Sequence, residues 1–257
     1  MVDPTQNQFT ADHYAPRAQA YVESRDHSKG ADLDQMEAVL RDADAGAWRV
    51  LDLGCGGGHV SYRAAPHVAA VVACDVTPAM LEAVARTAAG KGLANVTTRQ
   101  AAAERLPFAE AEFDAVLCRF TAHHWAEVER GLVEARRVLK PGGLAVFMDA
   151  VAPPDRAADT HLQTVELLRD ASHVRDYSIA EWRTMLAAAG FAVESVTPRK
   201  LRMSFATWAA RTGVPPETAA AIRALQDGAS HAVRTHFAIG PDGSFDLDTA
   251  TMVVRAV

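Results

Sequence analysis

Between Trp48 and Met148, short apolar runs alternate with stretches whose apolar residues recur at helical spacing. That alternation predicts strand–helix–strand units built around a parallel sheet. Five strands are expected, at Trp48–Leu53, Val68–Cys74, Asn95–Arg99, Phe113–Cys118 and Leu144–Met148. Helices are expected over Ser61–Pro66, Pro78–Ala89 and Trp125–Leu139. Pro78 suits a first helical turn, Gly90 and Gly92 end that helix, and Lys140-Pro141-Gly142-Gly143 stops the next one.

After Val151 the rhythm changes. Pro153 and Pro154 interrupt the chain, helical patterns cover Asp155–Asp170 and Ile179–Ala189, and Phe191–Thr197 reads as a sixth strand. Helical stretches at Phe205–Arg211 and Pro216–Phe237 precede a Gly/Asp turn at Gly240–Ser244 and a seventh strand at Thr251–Val257. The pattern predicts one α/β domain over 1–257, with a core of about 46–150, 179–202 and 249–257. Segments 1–45, 152–178 and 203–245 are helical additions to it.

Composition narrows the function classes. Of the 257 residues 49% are apolar and 23% charged, an ordinary globular balance. No run approaches the roughly 18 consecutive apolar residues of a membrane span. The first residues carry neither a basic start followed by an apolar run nor an Arg-rich amphipathic pattern, so the expected location is the cytoplasm. Cys55, Cys74 and Cys118 lie in or beside predicted strands without metal or disulfide spacing, and are expected to be buried thiols. A net charge of -6 with no run of Lys or Arg argues against a nucleic-acid groove, so a small-molecule partner is expected. The oligomeric state is not legible.

Chemistry concentrates where the first strand runs into Gly54-Cys55-Gly56-Gly57-Gly58-His59. Ligands of open parallel sheets bind at the carboxyl ends of the strands. Glycines at 54, 56 and 58 permit a sharp turn and a close ligand approach. The helix that follows offers unpaired N–H groups. A dinucleotide enzyme would read G-x-G-x-x-G, but His59 stands at the third glycine, which disfavours an NAD(P)-dependent oxidoreductase. Asp52 just before the loop suits a ligand ammonium or a polarised water rather than a diphosphate, and Asp75, 23 residues on, suits two ribose hydroxyls. An amino-acid head and a ribose together describe S-adenosylmethionine.

Four segments, VLDLGCGGG from Val50, ACDVTPAML from Ala73, AERLPFAEAEFDAVLCRF from Ala103 and EARRVLKPGG from Glu134, occur in this order across about residues 48–150. In them the chain resembles the class I methyltransferases, in the group of the ubiquinone/menaquinone C-methyltransferases and the malonyl-carrier-protein methyltransferase of biotin synthesis. The resemblance implies a doubly wound seven-stranded sheet of order 3-2-1-4-5-7-6, mostly parallel with the last strand antiparallel. It also implies that Asp52, Gly54, Cys55 and Gly56 hold the methionine part, Asp75 the ribose, and Val76 and Met80 the adenine. Arg119 would offer its carbonyl to the methionine amino group. Many relatives carry an Asp for the adenine amino group where this chain has Ala101-Ala102-Ala103-Glu104, so adenine falls to backbone near Ala102 and Ala103, or to Glu104. The segment from Tyr14 through Tyr21 to His27 resembles a leading helix that folds over the cofactor, with Tyr21 at the methionine end.

On the acceptor side, His123 and His124 follow the fourth strand, and neutral imidazole can hydrogen-bond a substrate or take its proton. His124 is the expected catalytic group, although packing at a helix start explains either histidine equally well. Adjacent histidines chelate poorly and Asp149 is a single carboxylate, so no metal is expected. Tyr14, His123, His161 and Arg175 are the expected substrate contacts, Arg175 because a guanidinium grips a carboxylate in two places. The expected reaction is in-line methyl transfer to a small molecule. A cofactor-binding protein without catalysis is the remaining alternative.

Overall fold

The computed structural model describes residues 5–22 and 29–257. Seven strands, β1 (Arg49–Leu53), β2 (Ala70–Asp75), β3 (Val96–Gln100), β4 (Phe113–Arg119), β5 (Leu139–Ala150), β6 (Phe191–Met203) and β7 (Phe245–Ala256), form one sheet of order β3-β2-β1-β4-β5-β7-β6. The first five run parallel, and β7 pairs antiparallel with both β5 and β6. The expected topology is therefore the observed one.

Each inner strand is apolar on both sides because helices cover both faces of the sheet. On one face Phe147 and Trp182 pack with residues of α6 (Val128–Val138) and α8 (Ile179–Ala188). On the other, Val50, Val71 and Val146 meet α3 (Ala31–Asp42) and α4 (His59–Ala64). Pro78 opens α5 (Pro78–Gly90), which packs on β2 and β3. A third cluster, with Leu162, Trp208, Ile222, Phe237 and Phe245, joins α7 (Arg156–Arg169), α9 (Phe205–Thr212), α10 (Pro216–Gly228) and α11 (His231–His236) to the ends of β6 and β7. Two short helices, α1 (Gln6–Tyr14) and α2 (Ala18–Val22), lie near α5 through the cluster of Tyr14, Ala18, Met80 and Ala83. No helix among the described residues is long and apolar enough to cross a membrane.

Several boundaries differ from expectation for local reasons. β7 begins at Phe245 rather than Thr251, and β6 runs on to Met203. Their added halves pair Met203 with Phe245 and Leu201 with Leu247. Polar residues alternate with apolar ones there, so no continuous apolar run announces a strand. The helix expected over Pro216–Phe237 is two, because Ser230 accepts a hydrogen bond from the Val233 N–H (3.3 Å) and starts a new one. The helix expected from Trp125 begins at Val128, after a single tight turn over Ala122–His124.

Candidate functional site

The chain leaves β1 at Leu53 and turns at Gly54, Gly56 and Gly58, whose φ angles are +71°, +47° and +80°. A Cβ on Gly54 would lie 2.2 Å from Thr121 Oγ1, and one on Gly57 would lie 2.6 Å from the Tyr21 carbonyl oxygen. Nothing lies within 4 Å of the corresponding point at Gly56. Gly54 and Gly57 thus admit neighbouring protein, whereas Gly56 leaves bare backbone open to a ligand. His59 starts α4, and its Nε2 lies 2.9 Å from the Tyr21 carbonyl. The residue that departs from the dinucleotide pattern therefore ties the loop to α2.

Asp52 is buried on β1. Its Oδ2 accepts hydrogen bonds from the Ser61 N–H (3.0 Å) and hydroxyl (2.6 Å), while Oδ1 has no partner among the described residues. Burial pushes the Asp52 carboxyl up to about 7, against the two Ser61 hydrogen bonds. A buried acceptor without a donor is costly, and a cationic ligand group would satisfy it. One strand over, Asp75 accepts from the Gly56 N–H through Oδ2 (2.9 Å) and from the Thr77 N–H through Oδ1 (2.9 Å). Burial raises this carboxyl as well.

Asp52 and Asp75 line one pocket with Gly54, Cys55, Gly56, Val76, Met80, Ala103 and Arg119. Asn7, Thr10, Tyr14 and Tyr21 close it from the N-terminal side. The structure thus brings together most of the residues expected for a cofactor. Glu104 is the exception. Its Oε1 accepts from the Ala126 (2.9 Å) and Glu127 (3.4 Å) N–H groups and its Oε2 from the Asn7 amide (3.3 Å), so it braces the start of α6 and α1 outside the pocket lining. Ala102 is likewise absent from the lining, although Ala101 and Ala103 on either side are in it. Residues Glu23 to His27 of the expected leading segment lie outside the described residues.

A second cavity, of about 440 Å³, adjoins the first, and Tyr21, Arg119, Phe120 and His124 line both. The Arg119 guanidinium is paired with Asp32 where α3 begins. His124 Nε2 lies 3.2 Å from the Tyr14 hydroxyl, and its Nδ1 lies 3.2 Å from both the Ser172 carbonyl and the Ser172 Oγ. Burial, with the charge of His123 beside it, drives the His124 imidazole down to about 3. The Tyr14 hydroxyl donates to Asp170, and burial lifts its own ionisation well above the usual range. Burial alone would raise the Asp170 carboxyl, but His124, Ser172 and Tyr14 together hold it low. With His124 uncharged at neutral pH, the hydrogen bonds from Ser172 and Tyr14 carry that effect.

His123 faces the second cavity only. Its Nδ1 lies 2.6 Å from Asp149 Oδ1 and 4.0 Å from Asp176 Oδ1. Asp149 is oriented by the N–H groups of Thr121 (3.3 Å), Ala122 (3.0 Å) and Ala150 (2.9 Å). Burial disfavours a charged His123, but Asp149, with Asp176 and Glu166 behind it, outweighs burial and raises the imidazole to about 9.

Two expected substrate contacts lie elsewhere. Arg175 is outside both pocket linings and pairs with Asp159 (3.1 Å) and Glu181 (3.4 Å). His161 lines a separate small cleft, with its ring 5.7 Å from that of Phe237. Their sequence context promised a cationic or imidazole contact, but α7 and the turn after it aim them away. In their place Glu166, Arg169 and Asp176 line the second cavity, with Asp170 and Ser172 set behind it against Tyr14 and His124; sequence reasoning missed all five. The one available signal was density: five of the eight residues from Arg169 to Asp176 are ionisable, a pattern that usually marks a solvated linker.

A methyltransferase-domain family model matches residues 51–147. The chain is 34% identical over 227 residues to the uncharacterized methyltransferase YcgJ of Bacillus subtilis, spanning 88% of each chain. The crystal structure of YcgJ superposes with a TM-score of 0.83 at 32% identity, covering 88% of this chain and 97% of that one. The uncharacterized protein YafE of Escherichia coli is 46% identical over 191 residues, 74% of this chain and 92% of its own. A ubiquinone/menaquinone biosynthesis C-methyltransferase, UbiE of Brucella anthropi, is 38% identical over 114 residues, 43% of each chain.

Proposed function

Because the chain belongs to the class I S-adenosylmethionine-dependent methyltransferases, we propose that the glycine-loop pocket holds the cofactor and the adjoining cavity a small-molecule acceptor. The observation that carries this reading is the shared wall: Tyr21, Arg119, Phe120 and His124 line both the glycine-loop pocket and the cavity beside it. S-adenosylmethionine supplies an electrophilic methyl group carried on a sulfonium sulfur.

The residues present fit that cofactor. The partnerless Oδ1 of Asp52 suits its ammonium, and the bare backbone at Gly56 suits a moiety packed against the loop. Asp75 has spare lone pairs for ribose hydroxyls, and Val76, Met80 and Ala103 offer an apolar slot for adenine, recognised there through backbone. α1 and α2 exclude water, which favours a displacement in which charge disperses.

Catalysis on this reading is chiefly alignment of acceptor and methyl group across the shared wall. His124 holds a neutral imidazole whose nitrogens already meet Tyr14 and Ser172, and a base near 3 takes protons poorly. It is therefore a positioning residue rather than the general base expected from its place after β4. The match to UbiE spans too little of the chain to bring a quinone acceptor with it.

Calorimetry of the full chain with S-adenosylhomocysteine and with NAD tests the reading. The thioether should bind with one-to-one stoichiometry and NAD should not. Binding of NAD alone would overturn it. Release of the homocysteine product on screening phenols, quinols, acyl thioesters and nitrogen heterocycles would then identify the acceptor.

A further inference from the structure

The cluster of His123, Asp149 and Asp176 is not needed by the reading above. One ligand atom from each lies within 4.8 Å of the other two. Asp176 is 1% exposed, and neither of its carboxylate oxygens has a hydrogen-bond partner among the described residues. A buried carboxyl with neither oxygen bonded is unfavourable on general grounds, and a cation facing it would satisfy both oxygens. His123 alone does not meet that need, because its Nδ1–H is directed to Asp149 at 2.6 Å and stands 4.0 Å from Asp176.

The surrounding chain holds these three groups in place. The N–H groups of Val174 (2.8 Å) and Arg175 (3.2 Å) donate to the His123 carbonyl, which fastens the turn carrying Asp176 to the turn carrying His123. Gln163 accepts from the Asp176 N–H (3.1 Å) and donates to its carbonyl (2.8 Å), clamping that residue from α7. Asp149 takes three backbone N–H groups, the kind of support that orients a ligating carboxylate. The nearby Glu166 is already paired with Arg169 (3.4 Å). His123 and Asp176 both line the second cavity.

We propose that His123 Nδ1, Asp149 and Asp176 form a divalent-cation site in the wall of the second cavity. One imidazole with two carboxylates suits an oxygen-preferring ion such as Mn²⁺ better than a soft thiophilic one. The two carboxylates balance its charge. Binding displaces the proton on Nδ1, which moves to Nε2 if the imidazole is neutral and to solvent if it is an imidazolium; a proton held by the Asp176 carboxyl is likewise released to solvent. Three protein ligands leave coordination positions for water or for oxygen atoms of a molecule in the cavity. The site rests on this cluster alone and stands or falls apart from the cofactor reading.

The test is Mn²⁺ titration of chelator-treated, full-length protein, followed by electron paramagnetic resonance. One Mn²⁺ per chain is expected, with nitrogen hyperfine coupling from one imidazole. D176N, which keeps the shape of the side chain, should weaken binding at least tenfold, whereas D227N on the exposed face of α10 should bind as the wild type does. No stoichiometric binding to the wild-type chain, no nitrogen coupling, or unchanged affinity in folded D176N would each overturn the proposal. Should D176N fail to fold, the wild-type stoichiometry and nitrogen coupling decide it.

Discussion

The glycine-loop pocket takes its floor from one run of chain, Asp52 to His59, and most of its remaining wall from the ends of neighbouring parallel strands. The second cavity is assembled from residues as distant as Gly30, His123, Asp176, Arg202 and Leu247. The floor of the first is a local consequence of strand, turn and helix, closed over by α1 and α2, whereas the second exists only once distant segments have packed. The chemistry differs as well. In the first pocket a carboxylate oxygen and the Thr10 hydroxyl lack partners among the described residues, near bare backbone, whereas in the second a cluster of ionisable groups is held by long-range hydrogen bonds.

If the first pocket depends on Asp52 for the ligand cation, D52N should weaken S-adenosylhomocysteine binding by about 30-fold or more, the usual loss when one partner of a buried charge pair is neutralised (about 2–5 kcal/mol). The wild type should show a matching pH dependence. Burial lifts the free carboxyl to about 7, above its value in the unfolded chain. Ionised Asp52 is the binding form, so affinity should rise by roughly tenfold from pH 5.5 to pH 7 and then level off. The ligand-free fold has the opposite slope, because a raised carboxyl loses stability as pH climbs from the unfolded value through 7. Calorimetry across that range checks the first slope, and D52N should flatten it.

The next effect concerns the lid. G57A places a methyl group against the Tyr21 carbonyl, a backbone atom that moves only if α2 moves. Overpacking of this kind costs about 1–3 kcal/mol, so cofactor affinity should fall by roughly tenfold while circular dichroism stays that of the folded chain. Unchanged affinity would mean that α2 does not close the pocket.

The same contrast explains what could be read in advance. Local patterns reveal β1 to β5, the turn at Gly54 to Gly58, Asp52 and Asp75, because each follows from residues near it in the chain. The sheet order was implied by the family resemblance that the four motifs carry. His59 was legible as a departure from the dinucleotide loop, but its contact with Tyr21 was not, since that contact spans 38 residues. Glu104 was misplaced for a similar reason: its partners, Asn7 and Ala126, come from α1 and the approach to α6. Asp170, Ser172 and Asp176 were hidden in a polar linker, where burial depends on long-range packing. Arg175 stands in that linker and turns outward.

Arg175 therefore marks the small end of the range. Its side chain is 37% exposed and its two ion pairs lie at the surface. R175A should shift stability by less than about 1 kcal/mol and leave cofactor binding unchanged, measured by thermal melting and calorimetry. A loss of acceptor turnover in R175A would move the acceptor cavity toward α8.

Hydrogen-exchange mass spectrometry of the full chain, with and without S-adenosylhomocysteine, tests the division between the two cavities most directly. Added protection is expected at residues 52–62, 75–80 and 5–21, with little change at 199–211. Protection concentrated at 199–211, with none at 52–62, would contradict the assignment of the cofactor to the glycine loop.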